Sequence, residues 1–545
     1  MRSRDDPWAT VRADHEVLAV ARSVPAANRL LDVVQLFGGD DRVEVAFTVP
    51  EGSVSQAGVE GLLRDAGVER IEPWPSVAAD ADRFALALAA SPKGGLHRIA
   101  APLVLMPHGA GHNRLVGDLP GDLPVASGLA PEQLLHDGRV VPERIALPHS
   151  EQLARLKLSC PAAAERAVVV GDPCYDRMLA NAGRRERYRR ALGAAGGSRL
   201  VAVSSTWNRR SLLGGRRDTV RDLLAELPSD EYRVALITHP NIWYRHGRAQ
   251  LELWLADEIE AGLRLVPPHE GWRAALIGAD VVVGDHGSVT YYAAALGRPV
   301  LLAASDTGEL DPDSPLVGFV RGAPRLLRRT GLRGQIEAAR GSAPEGAAEL
   351  MMEYHGRSAE RMRALLYDLL GIAPPPRPAR FSPLAGPRTE EPDVTAWRVA
   401  AEIDRDGGAA VIRVTRYPAA VTGPHPDRFL LVDEEDTAME RRETAQVRAH
   451  RPVSGDPVAW VRGVLDGGRC ALAAAAGTPG EVVLCARAGG WLRVRSETGA
   501  DLDAAVVAAA AHAWTASGRA LREWDSGVRI TAGGGEIPVR GTPPR

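Results

Sequence analysis

The chain has 545 residues, 45% of them hydrophobic, and a formal net charge of −3. That is enough chain for about three domains of about 150 residues and enough apolar content for sizeable cores, which excludes global disorder. The near-neutral balance excludes a general nucleic-acid binder; Lys93 and Lys157 are the only lysines among 66 basic residues, a bias that reads as a GC-rich genome.

The start, "MRSRDDPWATVRADHE", lacks the apolar core of a signal peptide, and no apolar run reaches the roughly 20 residues that span a bilayer. The expectation is a cytoplasmic protein, at most peripheral to the membrane. Strand-like and helix-like runs then alternate over 14–150. "EVLAVA", "RVEVAFTVP", "FALALAA" and "PLVLMPHG" read as strands; "AANRLLDVVQLFGG" and "SVSQAGVEGLLRDAG", with a Ser53 cap, read as helices. This alternation predicts a parallel sheet covered by helices.

The pattern restarts over 166–372. "RAVVVGDP", "RLVAVSSTW", "YRVALITHP", "LRLVPP", "DVVVGD" and "PVLLAAS" are strands with helices between them, and a long amphipathic helix over "AAELMMEYHGRSAERMRALLYDLLG" closes the unit. The "RRERYRR" run reads as a solvated helix face that could also touch anionic lipid. The proline-dense stretch 373–394 predicts an extended linker. Residues 395–545 read as a small α+β accessory domain, with the tail "TAGGGEIPVRGTPPR" frayed. Cys160, Cys174, Cys470 and Cys485 form no CxxC pair, which argues against a zinc knuckle or a disulfide framework.

The chemistry should sit beyond the carboxyl ends of the strands. Six polar clusters fall there: His108-Gly109-Ala110-Gly111-His112; Asp172-Pro173; Thr206-Trp207-Asn208-Arg209; His239-Pro240-Asn241; His269-Glu270; and Asp285-His286-Gly287-Ser288. Such clusters across two tandem sheets predict a cleft between them. Gly287 and Ser288 stand where a helix begins, a place that suits a phosphate because free N–H groups and the helix dipole point there. The plain alternative is a strand-to-helix turn with a Ser cap. His108 precedes a flexible "GAG" and could take a proton from a hydroxyl. His239, aimed by Pro240, and Arg209 could hold a phosphate. Asp172, Thr206 and Glu270, with Gly109 and His112, are further candidate contacts. His108 and His112 lack the Glu of HExxH and are separated by glycines, so no metal is expected. GxxxxGK[ST] and GxSxG are absent, which argues against P-loop and elbow-serine mechanisms.

Over 100–372, "PHGAGHN", "VVVGDPCYDRM", "SSTWNRRS", "ITHPN" and "ADVVVGDHGSVTYYAAALGRPVLL" resemble the glycerophosphotransferase family that builds teichoic-acid-type polymers from CDP-glycerol. The resemblance implies two Rossmann-like domains facing a cleft, the glycosyltransferase-B fold shared with UDP-N-acetylglucosamine 2-epimerases. It implies His108 as general base, His239 and Pro240 at the donor diphosphate, and Asp285, His286, Gly287 and Ser288 at the phosphate-binding helix start. It implies a nucleotide-diphospho donor, a hydroxyl acceptor and no cofactor. The sequence departs from the family in having Asp-His-Gly-Ser where DYSS or DSSS is usual, and Arg114 as the nearest cation after the HG pair. The rival readings are an epimerase or hydrolase using the same pocket, and a non-catalytic binding protein.

Overall fold

The computed structural model describes residues 13–543, apart from 53–55, 117–124, 329–330, 343, 390–392, 407–408, 424–427, 452–454 and 489. The Ser53 cap therefore lies outside the described residues. The first unit is a seven-stranded parallel sheet. Its strands are β1 (His15–Val20), β2 (Val43–Val49), β3 (Ile71–Pro73), β4 (Leu86–Ala89), β5 (Leu103–Leu105), β6 (Arg144–Leu147) and β7 (Ala167–Val169), in the order β3-β2-β1-β4-β5-β6-β7. Val17, Leu18 and Ala19 are all fully buried, as continuous apolar strands become when helices cover both faces of a sheet. Helix α1 (Val24–Val33) follows β1. Ser23 caps it by accepting from the Ala26 N–H at 3.3 Å, and Pro25 stands in its first turn.

The second unit repeats the plan with five parallel strands: β8 (Arg199–Ser205), β9 (Tyr232–Thr238), β10 (Arg264–Val266), β11 (Val281–Gly284) and β12 (Val300–Leu302), in the order β10-β9-β8-β11-β12. Each sheet thus has a 3-2-1-4-5 order at its core, which reverses direction beside the first strand and leaves a crevice there. The second unit's helices relevant to the cleft are α2 (Pro173–Ala180), α3 (Trp272–Gly278) and α4 (Ser288–Ala295).

Two boundaries differ from those expected. β7, expected to open the second unit, pairs with β6 through Ile145–Ala167, Ala146–Val168 and Leu147–Val169, and so edges the first sheet. The long closing helix is two helices. Ala347–Met351 packs on the second unit, whereas α5 (Ser358–Leu370) buries Met362, Leu366, Tyr367 and Leu370 in the first unit's core. Apolar period identified the helix but not the sheet that receives it. The chain thus crosses between the units twice, at Gly171 and again before Ser358. The crossings touch. A β-carbon on Gly171, whose φ is +82°, would stand 2.5 Å from the Glu353 carbonyl oxygen and 2.8 Å from Ser358 Cβ. The Asp176 carboxylate accepts from the N–H groups of Gly356 and Ser358, both at 2.7 Å, and from the Ser358 hydroxyl at 2.5 Å.

The proline-dense stretch is a strap, not a free linker. Ser382 N–H donates to Gln35 Oε1 at 2.8 Å, and buried Leu384 receives the Tyr188 hydroxyl on its carbonyl at 3.2 Å. The basic run is likewise only half solvated. Arg185 and Arg189 each reach Asp280 at 2.6 Å.

The expected small α+β domain is instead a closed nine-stranded barrel. Its strands are β13 (Ala396–Asp406), β14 (Ala409–Pro418), β15 (Phe429–Asp433), β16 (Val447–His450), β17 (Leu472–Ala476), β18 (Glu481–Ala486), β19 (Trp491–Ser496), β20 (Val528–Ala532) and β21 (Gly535–Thr542). Helix α6 (Ala504–Ala516) shares one core with the strands, and Ala508 to Ala511 are fully buried. Its alanines let the strands approach a helix that is apolar all round. The tail expected to fray supplies the last two residues of β20 and all of β21, and 544–545 lie outside the described residues. β21 pairs antiparallel with both β20 and β19 because its apolar residues face the barrel core. The barrel is seated on the second unit, where buried Arg416 reaches Asp230 at 2.5 Å. Truncation after Ala532 is expected to open the barrel, read as early proteolysis within 395–532 while 13–372 stays resistant. Among the described residues, no helix is long and apolar enough to cross a membrane.

Candidate functional site

The carboxyl ends of the two sheets face each other across a cavity of about 430 Å³. The first unit contributes His108, Gly109 and His112 from the loop after β5. The second contributes Thr206 and Trp207 after β8, His239 and Pro240 after β9, and His286, Gly287 and Ser288 after β11. The walls nearly touch, since a β-carbon on Gly109 would stand 2.8 Å from Ser288 Oγ.

The two histidines expected to do chemistry hold opposite tautomers. His108 Nδ1 lies 3.1 Å from the Ala90 carbonyl oxygen. A carbonyl only accepts, so Nδ1 carries the hydrogen and Nε2 keeps its lone pair. Desolvation lowers the His108 pKa, the Ala90 bond opposes this, and Arg29 and Arg114 lower it further. His239 caps the helix Pro240–His246, with its Nδ1 accepting from the Asn241 N–H at 3.1 Å. Its proton therefore sits on Nε2. Desolvation, with His108 and Arg114 nearby, lowers its pKa to about 3, so it is a neutral hydrogen-bond donor, not a cation.

The turn after β11 is built around a buried carboxylate. Asp285 is fully buried and accepts from the N–H groups of Thr206 at 2.7 Å, Leu212 at 3.0 Å and Gly287 at 3.0 Å. Asp285 thus lies behind the wall, and Gly287's own N–H is already used. The unsatisfied first-turn N–H groups of α4 begin at Ser288. His286, 4% exposed, lines the cavity, and its Nδ1 has no partner among the described residues. Gly284 allows the strand end to lie under the helix, because a β-carbon there would meet Thr290 Oγ1 at 2.3 Å. A β-carbon on Gly287 would press on Asp285 Oδ1 at 3.1 Å and Thr206 Cβ at 3.2 Å, so Gly287→Val perturbs the turn as well as any anion.

Three expected residues lie elsewhere. Arg209 is exposed and off the cavity wall, since the turn at Asn208, with a φ of +83°, carries it outward. Glu270 is half-buried and off the wall. Asp172 is buried behind it, bonded to Arg29 at 2.5 Å. Its side chain caps α2 by accepting from Cys174 and Tyr175 N–H groups.

No protein-family model and no curated protein sequence matches the chain. Several solved structures do. The wall teichoic acid polymerase TagF, in a variant soaked with CDPG, is similar at 12% identity over 68% of this chain and 92% of that one, with a TM-score of 0.47. The UDP-GlcNAc 2-epimerase from Neisseria meningitidis bound to UDP-GlcNAc is similar at 12% identity over 65% and 99%, with a TM-score of 0.41. S. aureus MnaA with UDP is similar at 12% identity over 68% and 100%, with a TM-score of 0.37. These likenesses concern the run of the backbone alone.

Sequence reasoning passed over the cavity's charged floor. Arg29 and Asp32 on α1, Arg273 on α3 and Tyr292 on α4 all line it. Arg273 and Arg177 both reach fully buried Asp32, at 2.6 and 2.7 Å. The available signal was α1 itself, whose Arg29 and Asp32 fall among the apolar residues that it buries.

His112 is 6% exposed and donates from Nδ1 to the Ser127 carbonyl at 2.8 Å. Desolvation lowers its pKa to about 3. Unfolded, it would titrate near 6.5, so below that pH the unfolded chain binds a proton that the folded chain refuses. Its contribution to stability is full above pH 6.5 and is lost as pH falls from about 6.5 towards about 3. His112→Asn, which keeps a donor for Ser127, should flatten the fall in stability by up to ~1.4 kcal/mol per pH unit, as measured by urea melts between pH 7 and 4.

Proposed function

We propose that the protein is a transferase that moves a glycerophosphate or glycosyl group from a nucleotide-diphospho donor to an acceptor hydroxyl. The observation that carries this reading is the pair of opposed tautomers facing one helix start. His108 offers a lone pair on Nε2, His239 offers an N–H on Nε2, and both line the same cavity as Ser288 at the start of α4.

The donor diphosphate lies at Ser288, where α4's N–H groups and dipole stabilise charge that develops on the leaving nucleotide phosphate. The His239 N–H adds a hydrogen bond to that phosphate. The acceptor oxygen bonds to the carbon or phosphorus of the transferred group. The bond from that atom to the nucleotide phosphate oxygen breaks, and the acceptor proton passes to His108 Nε2. Gly109, His112, Thr206 and His286 supply further contacts to donor or acceptor. The lowered His108 pKa keeps the imidazole neutral at pH 7, so the acid limb of the rate profile should fall below pH 6.5. Closure of the two units over the substrates excludes water and limits hydrolysis.

A thermal-shift screen against CDP-, UDP- and GDP-linked donors tests the donor class, and release of nucleotide that depends on an acceptor tests transfer. Release of free sugar or of a sugar isomer without acceptor would replace this reading with a hydrolase or an epimerase. Ser288→Asp gives a two-signed test. A carboxylate in a helix's first turn should stabilise the fold by ~0.3–1 kcal/mol. The same charge should weaken binding of a nucleoside diphosphate ~10–100-fold, because like charges a few ångströms apart repel in a partly buried site. Unchanged affinity in calorimetry would leave Ser288 as an ordinary helix start.

A further inference from the structure

Arg29 joins three separate parts of the molecule with one guanidinium. It is 4% exposed. Its Nη1 and Nη2 reach the two Asp172 carboxylate oxygens at 2.5 and 3.0 Å. Nη2 also donates to the Gly109 carbonyl oxygen at 2.9 Å and to the Tyr292 hydroxyl at 2.8 Å, and that hydroxyl donates to Asp172 at 2.5 Å. Gly109 directly follows His108. Tyr292 stands on α4, four residues after Ser288 and so about 6 Å along the helix. Asp172 stands at the first crossing between the units.

We propose that Arg29 is a positioning residue that fixes the His108 loop opposite the start of α4, an inference that rests on the transferase reading above. The argument is geometric. His108 and Ser288 belong to different sheets, so neither sheet's ladder fixes the distance between them. A rigid planar fork that contacts the residue after one and the helix of the other does fix it. Arg29 acts through Gly109 and Tyr292, with no bond of its own to the reacting atoms. A lysine would keep the charge opposite Asp172, but a single ammonium on a flexible stem does not reproduce the fork.

The test uses the full chain with Arg29→Lys and Tyr292→Phe, the donor selected from CDP-glycerol and UDP-N-acetylglucosamine by the screen above, and the matching nucleoside diphosphate as binding probe. Arg29→Lys should melt within a few degrees of the parent and bind the nucleoside diphosphate within ~3-fold. Its kcat should fall by ~10²-fold, the cost of about an ångström of misplacement. Tyr292→Phe should lose less, in the same direction. Hydrogen exchange supplies an arm that needs no turnover, with segment 106–114 exchanging at least ~10-fold faster in Arg29→Lys than in the parent while 281–295 is unchanged. Parent-like kcat or parent-like exchange at 106–114 in Arg29→Lys would overturn the proposal. So would equal losses of kcat, nucleotide affinity and melting temperature, which mark a merely structural ion pair. A parent that binds no nucleoside diphosphate and releases no nucleotide, neither the monophosphate from CDP-glycerol nor the diphosphate from UDP-N-acetylglucosamine, sinks the transferase reading, and the positioning proposal with it. A parent that turns over with an insensitive Arg29→Lys sinks the positioning proposal alone.

Discussion

His108→Ala should lower the transfer rate by ~10²–10⁴, the usual worth of a positioned general base, while nucleoside diphosphate affinity stays within ~3-fold of the parent. The separation follows from where the groups sit. His108 belongs to the loop after β5 of the first unit, whereas the expected phosphate contacts come from the second. Substitution removes the lone pair on Nε2 and leaves Ser288 and His239 in place. His108→Gln is the sharper companion, because it fills the space without a basic nitrogen. Steady-state kinetics and calorimetry on the same preparations decide the matter. Equal loss of nucleotide affinity would move His108 from proton transfer to donor binding or to support of the loop.

Asp32→Asn should cost ~3–5 kcal/mol, the typical penalty for breaking a buried ion pair from one side. Asp32 is fully buried and neutralises Arg177 and Arg273, which are 6% and 3% exposed. The amide leaves two guanidinium groups without a counter-charge in a water-poor interior. Against a domain stability of roughly 5–15 kcal/mol, that loss removes a large share of the margin. Urea unfolding gives the number. A change below 1 kcal/mol would show that water reaches the cluster and that the carboxylate is not the keystone of the interface. Burial opposes ionisation of Asp32, but Arg273, Arg177 and Arg29 outweigh it and hold its pKa low. Its stabilisation is therefore present at neutral pH and disappears only as pH falls through that low folded-state pKa.

The parallel α/β units were legible because strands covered on both faces become uninterrupted apolar runs, such as "EVLAV" and "DVVVG". The strand-end clusters at His108, Thr206, His239 and Gly287 were legible for a topological reason, since parallel strands deliver all their carboxyl ends to one crevice. Charge repulsion sets Asp285 apart from its neighbours in "GDHGS" already in the sequence, since a carboxylate beside a diphosphate must face elsewhere, and the fold turns it inward to three N–H groups that hold the turn. Arg209 failed because Asn208 turns the backbone away after two residues. The barrel was missed because closure depends on long-range pairing, such as β15 with β13 and β14 with β20, which leaves no local period. The Arg29–Asp172 pair spans 143 positions in the chain and likewise has no local signature.

The double crossing between the units has a mechanical meaning. Two bodies joined by a single chain can twist and slide freely. Here the outgoing chain at Gly171 and the returning chain near Glu353 and Ser358 lie against each other, locked by Asp176. They act as the paired pins of a door. Translation of one unit past the other would have to tear the Asp176 bonds, so any relative motion would be a swing about the line through the crossings. In such a swing, residues beside the pins, Asp172 and Arg29 among them, would sweep the shortest arc, and the far lip of the cleft the longest. The close approach of Gly109 to Ser288 would then be rebuilt to the same register on each swing.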